Sequence, residues 1–287
     1  MTGTIVAENL TYFYGDLVAV DHINFNVAEG EIFGFLGPNG AGKSTTIKML
    51  TAQMKPKEGK ATVLGMNIAT NVRGVQSEIG VCFELPNMYE QMSALENLKL
   101  FARLFGTKDF DGYDLLRRVD LTGRENDRVE NYSKGMRQRL MVARALASRP
   151  KVLFLDEPTS GLDPTSAEGI RDIIRKERDR GATVFLTTHD MMEADELSDR
   201  VAFMNQGKIV ALDTPYNLKL TYGRRAIKAQ VVGKGGAIEE REVVMDKPET
   251  AKAIEKLFAK ENVATVHSEE ATLGEIFSQI TGRGLQT

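Results

Sequence analysis

The sequence predicts an α/β protein: a parallel sheet with helices on its faces, a helical block inserted into it, and a small α+β appendage. Three observations lead there. From residue 152 to about Asp213, short apolar runs alternate with helix-period segments, the pattern of a parallel sheet covered by helices. A glycine-rich loop joins the apolar run at 32–36 to a helix-period segment. After about Leu220 the alternation gives way to two paired strand runs and isolated helices.

Taken in order, residues 5–10 and 19–27 alternate apolar and polar, as half-buried strands do. Glu29-Gly30 marks a turn. Residues 32–36 are apolar and flanked by glycines, as in a buried parallel strand. The glycine loop follows, then a helix at 44–53. From Ser93 to about Pro150 the period turns helical, with Leu95, Leu98, Phe101, Ala102 and Phe105 on one face. A second helix covers 136–147, with Leu140, Ala143, Arg144 and Leu146. Then come a strand at 152–155, a helix at 164–179, a strand at 182–187, a short helix at 190–197 and two short strands. Strands at 226–232 and 238–245, joined through Gly233-Lys234-Gly235-Gly236, open the appendage. A helix at 248–260, a strand at 263–267 and a helix at 273–280 complete it. The expected domains are 1–220, with the helical block at about 85–150, and 221–287.

Composition narrows the function. With 37 Lys+Arg against 40 Asp+Glu the net charge is −3, which argues against naked nucleic acid as the main partner. Cys82 is the single cysteine, so neither an internal disulfide nor a cysteine-based zinc site is available, and a reducing compartment fits. No run reaches the ~18–20 apolar residues that span a bilayer, and the first ten residues lack signal-peptide features. A cytoplasmic location is expected. His22 and His267 have no surrounding motif and receive no role.

Gly37-Pro38-Asn39-Gly40-Ala41-Gly42-Lys43-Ser44 fits G-x-x-x-x-G-K-[ST] without mismatch. Glycines let backbone N–H groups turn toward phosphate oxygens, and the following helix aims its positive end at the same anion. Lys43 adds a full charge, and Ser44 offers a hydroxyl to Mg²⁺. The apolar run 152–155 ends in Asp156-Glu157. At the C-terminal edge of a parallel sheet these carboxylates face the ligand crevice. There Asp156 can orient Mg²⁺ and Glu157 can take a proton from an attacking water.

With these motifs on the page, the sequence from Ile5 to about Leu218 resembles an ATP-binding cassette ATPase, the motor subunit of an ABC transporter. Asn131-Tyr132-Ser133-Lys134-Gly135-Met136-Arg137-Gln138-Arg139 resembles the family signature, Ser160-Gly161-Leu162-Asp163 the D-loop, and Thr187-Thr188-His189-Asp190 the switch-histidine region. Tyr14 resembles the aromatic that stacks on adenine. The resemblance implies a P-loop NTPase core with an antiparallel β subdomain and the inserted helical subdomain. It implies ATP and Mg²⁺ as cofactors, with Gly37 to Ser44, Thr45, Tyr14 and Glu84 on the nucleotide. Ser133, Lys134, Gly135 and Asp163 would complete the site of a second copy or a related ATPase, two chains sandwiching two ATP molecules head to tail. Ser44, Glu84 and Asp156 would serve the metal, and Glu157 and His189 the chemistry.

Two departures stand out. The common signature Leu-Ser-Gly-Gly-Gln is here Tyr132-Ser133-Lys134-Gly135-Met136, which resembles a variant of one exporter branch, and Lys134 adds charge at the anion site. The Q-loop position holds Glu84 instead of glutamine. The tail, Ala271-Thr272-Leu273-Gly274-Glu275-Ile276-Phe277 with Thr281-Gly282-Arg283-Gly284-Leu285, resembles drug- and antibiotic-resistance export ATPases. The expected function is the ATPase subunit of an exporter, peripheral on the cytoplasmic membrane face, working with separate transmembrane permease subunits. It would present a groove near residues 84–100 to them. The alternative is a soluble cassette ATPase acting on a non-membrane assembly. A regulatory nucleotide-binding module is disfavoured by the intact Glu157.

Overall fold

Burial of alternating apolar residues builds the first sheet. In the computed structural model, which describes residues 2–287 except 86, 224–225, 233–236, 246, 270 and 283–287, β1 (Ile5–Tyr14) and β2 (Leu17–Val27) form an antiparallel hairpin. Ile5 pairs with Val27 at one end and Tyr14 with Leu17 at the other. Then come β3 (Ile32–Leu36), α1 (Lys43–Leu50), β4 (Glu58–Val63), β5 (Met66–Asn67), α2 (Val72–Glu78) and β6 (Ile79–Cys82). The inserted helices are α3 (Ala94–Leu104), α4 (Gly112–Arg118) and α5 (Lys134–Leu146). The chain continues through β7 (Val152–Asp156), α6 (Pro164–Asp179), β8 (Thr183–Thr188), α7 (Met191–Leu197), β9 (Arg200–Asn205) and β10 (Lys208–Asp213). The last elements are α8 (Pro215–Tyr222), β11 (Ala226–Val232), β12 (Ile238–Val244), α9 (Thr250–Lys260), β13 (Val263–Glu269) and α10 (Leu273–Thr281).

Two sheets make the first unit, Met1–Asp213. The four-stranded antiparallel sheet runs β2-β1-β4-β5, and the six-stranded sheet β10-β9-β3-β8-β7-β6. In the latter, β9, β3, β8, β7 and β6 are parallel and only β10 runs antiparallel at the edge. Every residue of β3, β7 and β8 is buried, as strands covered on both faces require. Phe25 of β2 lies 5.6 Å from Phe33 and 6.0 Å from Phe185 between ring centroids, so an aromatic cluster ties the two sheets together.

Caps set the helix limits near the site. Ser93 and Glu96 form a capping box on α3. Asp163 caps α6, with Pro164 in its first turn, and the helix runs over 164–179 as the sequence predicts. Ser133 caps α5, its Oγ accepting from Met136 N at 3.2 Å.

The strands β4 and β5 and the helices α2 and α8 carry no readable period in the sequence, and α4 falls inside the stretch read as helical. Each is short, and β4 is exposed over its first three residues, with Ala61 and Val63 buried and Thr62 between them half-buried. It exists because it pairs with β1, Ile5 opposite Val63.

The second unit, Thr214–Thr287, has the antiparallel sheet β12-β11-β13. Ala229, Val231, Val243 and Leu257 of α9 form its small core, and α8 packs on α10. Because of that packing α8 belongs to this unit, and the division falls ahead of the sequence boundary at 220. The expected Gly233-Lys234-Gly235-Gly236 connection and the tail residues Arg283, Gly284 and Leu285 lie outside the described residues.

Candidate functional site

The cleft is assembled at the C-terminal ends of β3, β7 and β8. β3 ends at Leu36 and the loop 37–42 leads into α1, whose first residue is Lys43. Close approach makes two glycines necessary. A Cβ on Gly37 would sit 2.2 Å from the Met204 carbonyl oxygen, and one on Gly42 2.3 Å from that of Ala19. Gly42 also has φ +110°, a conformation L side chains rarely adopt. The loop can therefore bring its N–H groups and the α1 N-terminus to one point, an anion cradle.

Lys43 is buried. Its Nζ donates to the Gly37 carbonyl at 2.6 Å and lies 3.1 Å from Glu157 Oε1. Glu157 Oε1 is buried and accepts no directed hydrogen bond, so this is a charge contact. Oε2 of the same carboxylate meets His189 Nδ1 at 2.7 Å and accepts from His189 N at 3.3 Å. Glu157 itself sits at φ +51°, a left-handed conformation that costs a non-glycine residue about 1–2 kcal/mol. Its N–H donates to the Thr187 carbonyl at 3.0 Å, which holds it there.

Asp156 ends β7 opposite Thr187 of β8. Its Oδ1 accepts from Thr187 Oγ1 at 2.6 Å and from Ser44 Oγ at 3.4 Å. Ser44 and Asp156 thus set two hard oxygen atoms side by side. Such donors suit a hard cation or a water.

An open cavity of about 400 Å³ lies over these groups. Tyr14, Leu17 and Ala19 line it from the first hairpin, residues 38–45 from the loop and α1, and Glu84 and Glu157 from the sheet ends. That volume is in the range of small-ligand sites. Pro38, Asn39, Gly40, Ala41, Ser44 and Thr45 therefore all face one space. Tyr14 is exposed, its ring edge-on to Tyr12 at 4.9 Å. Glu84 is exposed at the rim.

Ser133, Lys134, Gly135 and Asp163 are outside that lining. Lys134 Nζ donates instead to the Gly161 carbonyl at 2.9 Å, which joins the start of α5 to the loop before α6. Asp163 is held below the usual carboxylate range by hydrogen bonds from Ser166. Thr159, Thr187 and Glu193 were given no role from the sequence. Thr187 holds Asp156, and Thr159 Oγ1 donates to Glu193 Oε1 at 2.7 Å. Their only signal in the sequence is position: Thr187 opens the Thr187-Thr188-His189-Asp190 segment, Thr159 precedes Ser160 and Glu193 follows Asp190 by three residues.

The chain is similar to known proteins over most of its length. The ABC transporter family matches residues 20–160. A fluoroquinolones export ATP-binding protein of Mycobacterium tuberculosis is 46% identical over 286 residues, 99% of this chain and 95% of that protein. A bacitracin transport ATP-binding protein of Bacillus licheniformis is 36% identical over 240 residues, 83% of this chain and 78% of that one. Among solved structures, a dimeric ATP-binding cassette in a post-hydrolysis state with ADP and Pi is similar, with TM-score 0.67 and 26% identity, covering 73% of this chain and 98% of its own.

Proposed function

The chain belongs to the ABC transporter family, as an ATP-binding and ATP-hydrolysing subunit of the exporter kind, and we propose from this how its residues divide the work and which partners they need. The observation that carries the proposal is the array Lys43–Glu157–His189 beside Ser44 and Asp156. Tyr14 stacks on adenine. Residues 37–45 hold the phosphates through backbone N–H groups, with Lys43 leaving its contact with Glu157 for the terminal phosphates. Glu157, thereby freed, accepts the proton of the water that attacks the γ-phosphorus as ADP departs. His189 keeps the Glu157 carboxylate aimed.

The oxygen donors Ser44, Asp156 and Glu84 fit Mg²⁺, which when bound neutralises charge on the phosphate oxygens. Among the described residues no cluster of three or more His, Cys, Asp or Glu is placed to hold a metal by itself. The phosphates and water would supply its remaining ligands.

Ser133, Lys134, Gly135 and Asp163 do not line the chain's own cleft, which supports a head-to-tail pair in which each copy, or a related ATPase, completes the other's site. The dimeric relative supports the same reading. No described helix is long and apolar enough to cross a membrane, and the relatives are named as export or transport ATP-binding proteins. Separate membrane-spanning chains would provide the path, with this chain on their cytoplasmic face. An apolar cavity of about 300 Å³ lined by Phe83, Phe101, Phe105 and Arg144, with Leu85 76% exposed nearby in sequence, supports docking of such a partner there.

The experiment is a capture from detergent-solubilised membranes with tagged Glu157→Gln protein and Mg-ATP, alongside phosphate release. Expected are loss of phosphate release and co-purification of a polytopic membrane protein that disappears with Lys43→Ala. Recovery of ribosomes, DNA or soluble proteins alone would transfer the chain to the cassette ATPases that act on non-membrane assemblies.

A further inference from the structure

We propose that Glu193 is a positioning residue for ATP hydrolysis, acting through Thr159 on the segment that carries Glu157. The proposal rests on the reading of Glu157 as the group that takes the proton from water.

Residues 157–163 link β7 to α6 without regular structure. Glu157 and Gly161 both have positive φ, +51° and +64°. Within the segment, Ser160 N donates to the Glu157 carbonyl at 3.2 Å and Leu162 N to that of Thr159 at 3.1 Å. These bonds fix its internal turn but not its place against β8 and α7. Three contacts do that. Glu157 N reaches the Thr187 carbonyl, Glu157 Oε2 meets His189 Nδ1, and Thr159 Oγ1 donates to Glu193 Oε1 at 2.7 Å. The third is the one that holds the segment beyond Glu157, from α7, whose capping residue Asp190 directly follows His189. At its far end, Lys134 holds Gly161 from α5.

Stability alone does not account for Glu193. Its side chain is 1% exposed, and among the described residues no basic side chain forms an ion pair with it. Its Oε2 is buried without a hydrogen-bond partner. An anion so placed is costly, and an apolar side chain would fill the same volume without that penalty. Burial raises the proton affinity of Glu193 above that of an ordinary glutamate. The hydrogen bond from Thr159 opposes it, as do the nearby Thr188 hydroxyl and the charge of Arg171, while Asp190 acts in the same direction as burial. The contact itself needs only an oxygen acceptor for the Thr159 hydroxyl. Glutamine has the same shape and acceptor.

The test measures steady-state kcat and KM, ATP affinity by binding of a fluorescent ATP analogue, and thermal stability. The variants are Thr159→Val, Glu193→Ala, Glu193→Gln, the Thr159→Val/Glu193→Ala pair and Glu157→Gln. Thr159→Val and Glu193→Ala are each expected to lower kcat about 10- to 100-fold, the scale of a misplaced catalytic group, with ATP affinity changed less than about threefold. The double variant should fall no further than the singles, since both remove one interaction. Glu193→Gln should bring kcat back to within about threefold of the parent. Wild-type kcat in folded Thr159→Val protein, additive losses, or Glu193→Gln as impaired as Glu193→Ala would each overturn the proposal. If Glu157→Gln still hydrolyses ATP, the underlying reading of Glu157 fails. If Glu157→Gln is inactive and Thr159→Val is fully active, only the role of Glu193 fails.

Discussion

Lys43 and Glu157 neutralise each other at the floor of the cleft: Nζ lies 3.1 Å from Oε1, with the side chains 6% and 7% exposed. The proposed phosphate-binding cation and the candidate base therefore hold one another. Removing one partner leaves a buried charge. Lys43→Ala is expected to lower unfolding free energy by about 3 kcal/mol, near the bottom of the range for a broken buried pair, because His189 still contacts Glu157. Glu157→Gln in that background should recover most of the loss. Denaturant unfolding of the two singles and the double checks this; an additive pair would show that the contact contributes nothing.

His189 reaches Glu157 from a half-exposed side chain. Its loss should leave the fold and nucleotide binding largely intact. His189→Ala is expected to reduce kcat about 100-fold, within the range for acid–base machinery, with ATP affinity nearly unchanged. Single-turnover phosphate release alongside nucleotide titration separates the two effects.

Glu84 adds a negative charge at the rim of the cleft where the family pattern has glutamine. Both side chains offer oxygen to a hard cation, but only one carries charge. Glu84→Gln is expected to retain ATPase activity and to shift the Mg²⁺ concentration that gives half-maximal rate. An identical Mg²⁺ titration would remove any role for the charge.

Cys82 lies at the end of β6 in full burial, and its thiol is pushed up to about 12 from 9.0 by desolvation. The folded chain then holds the proton more tightly than the unfolded chain does. The contribution to stability is complete below pH 9, the unfolded value, and is lost as pH rises toward 12. Cys82→Ala should flatten that alkaline loss in urea midpoints measured across this range. The folded protein should also resist alkylation at pH 8 and react once unfolded.

Most of the fold could be read from the chain because its signals are local. Apolar runs mark β3, β7 and β8, and Asp163-Pro164 marks the start of α6 by capping chemistry. Elements such as β4 and β5 could not, since a short strand of this kind forms only where a partner offers its edge. The candidate site divides the same way. Residues 37–44 make an anion cradle from consecutive residues, and Asp156-Glu157 ends an apolar run. The stitching between them spans the chain: Ser44 meets Asp156 112 residues on, Asp156 meets Thr187 31 residues on, and Thr159 meets Glu193 34 residues on.

By itself, then, the sequence determined the phosphate loop, the acidic strand end, the strand–helix alternation and the order of the family motifs, since each depends on neighbours along the chain. The tertiary structure decided that Lys43 rests on Glu157, that Glu157 is held left-handed against Thr187 and His189, and that Glu193 grips Thr159. Those contacts depend on the parallel register that sets Asp156 beside Thr187. A slip of one residue there would turn every side chain of β7 to the other face, and no local pattern specifies that pairing.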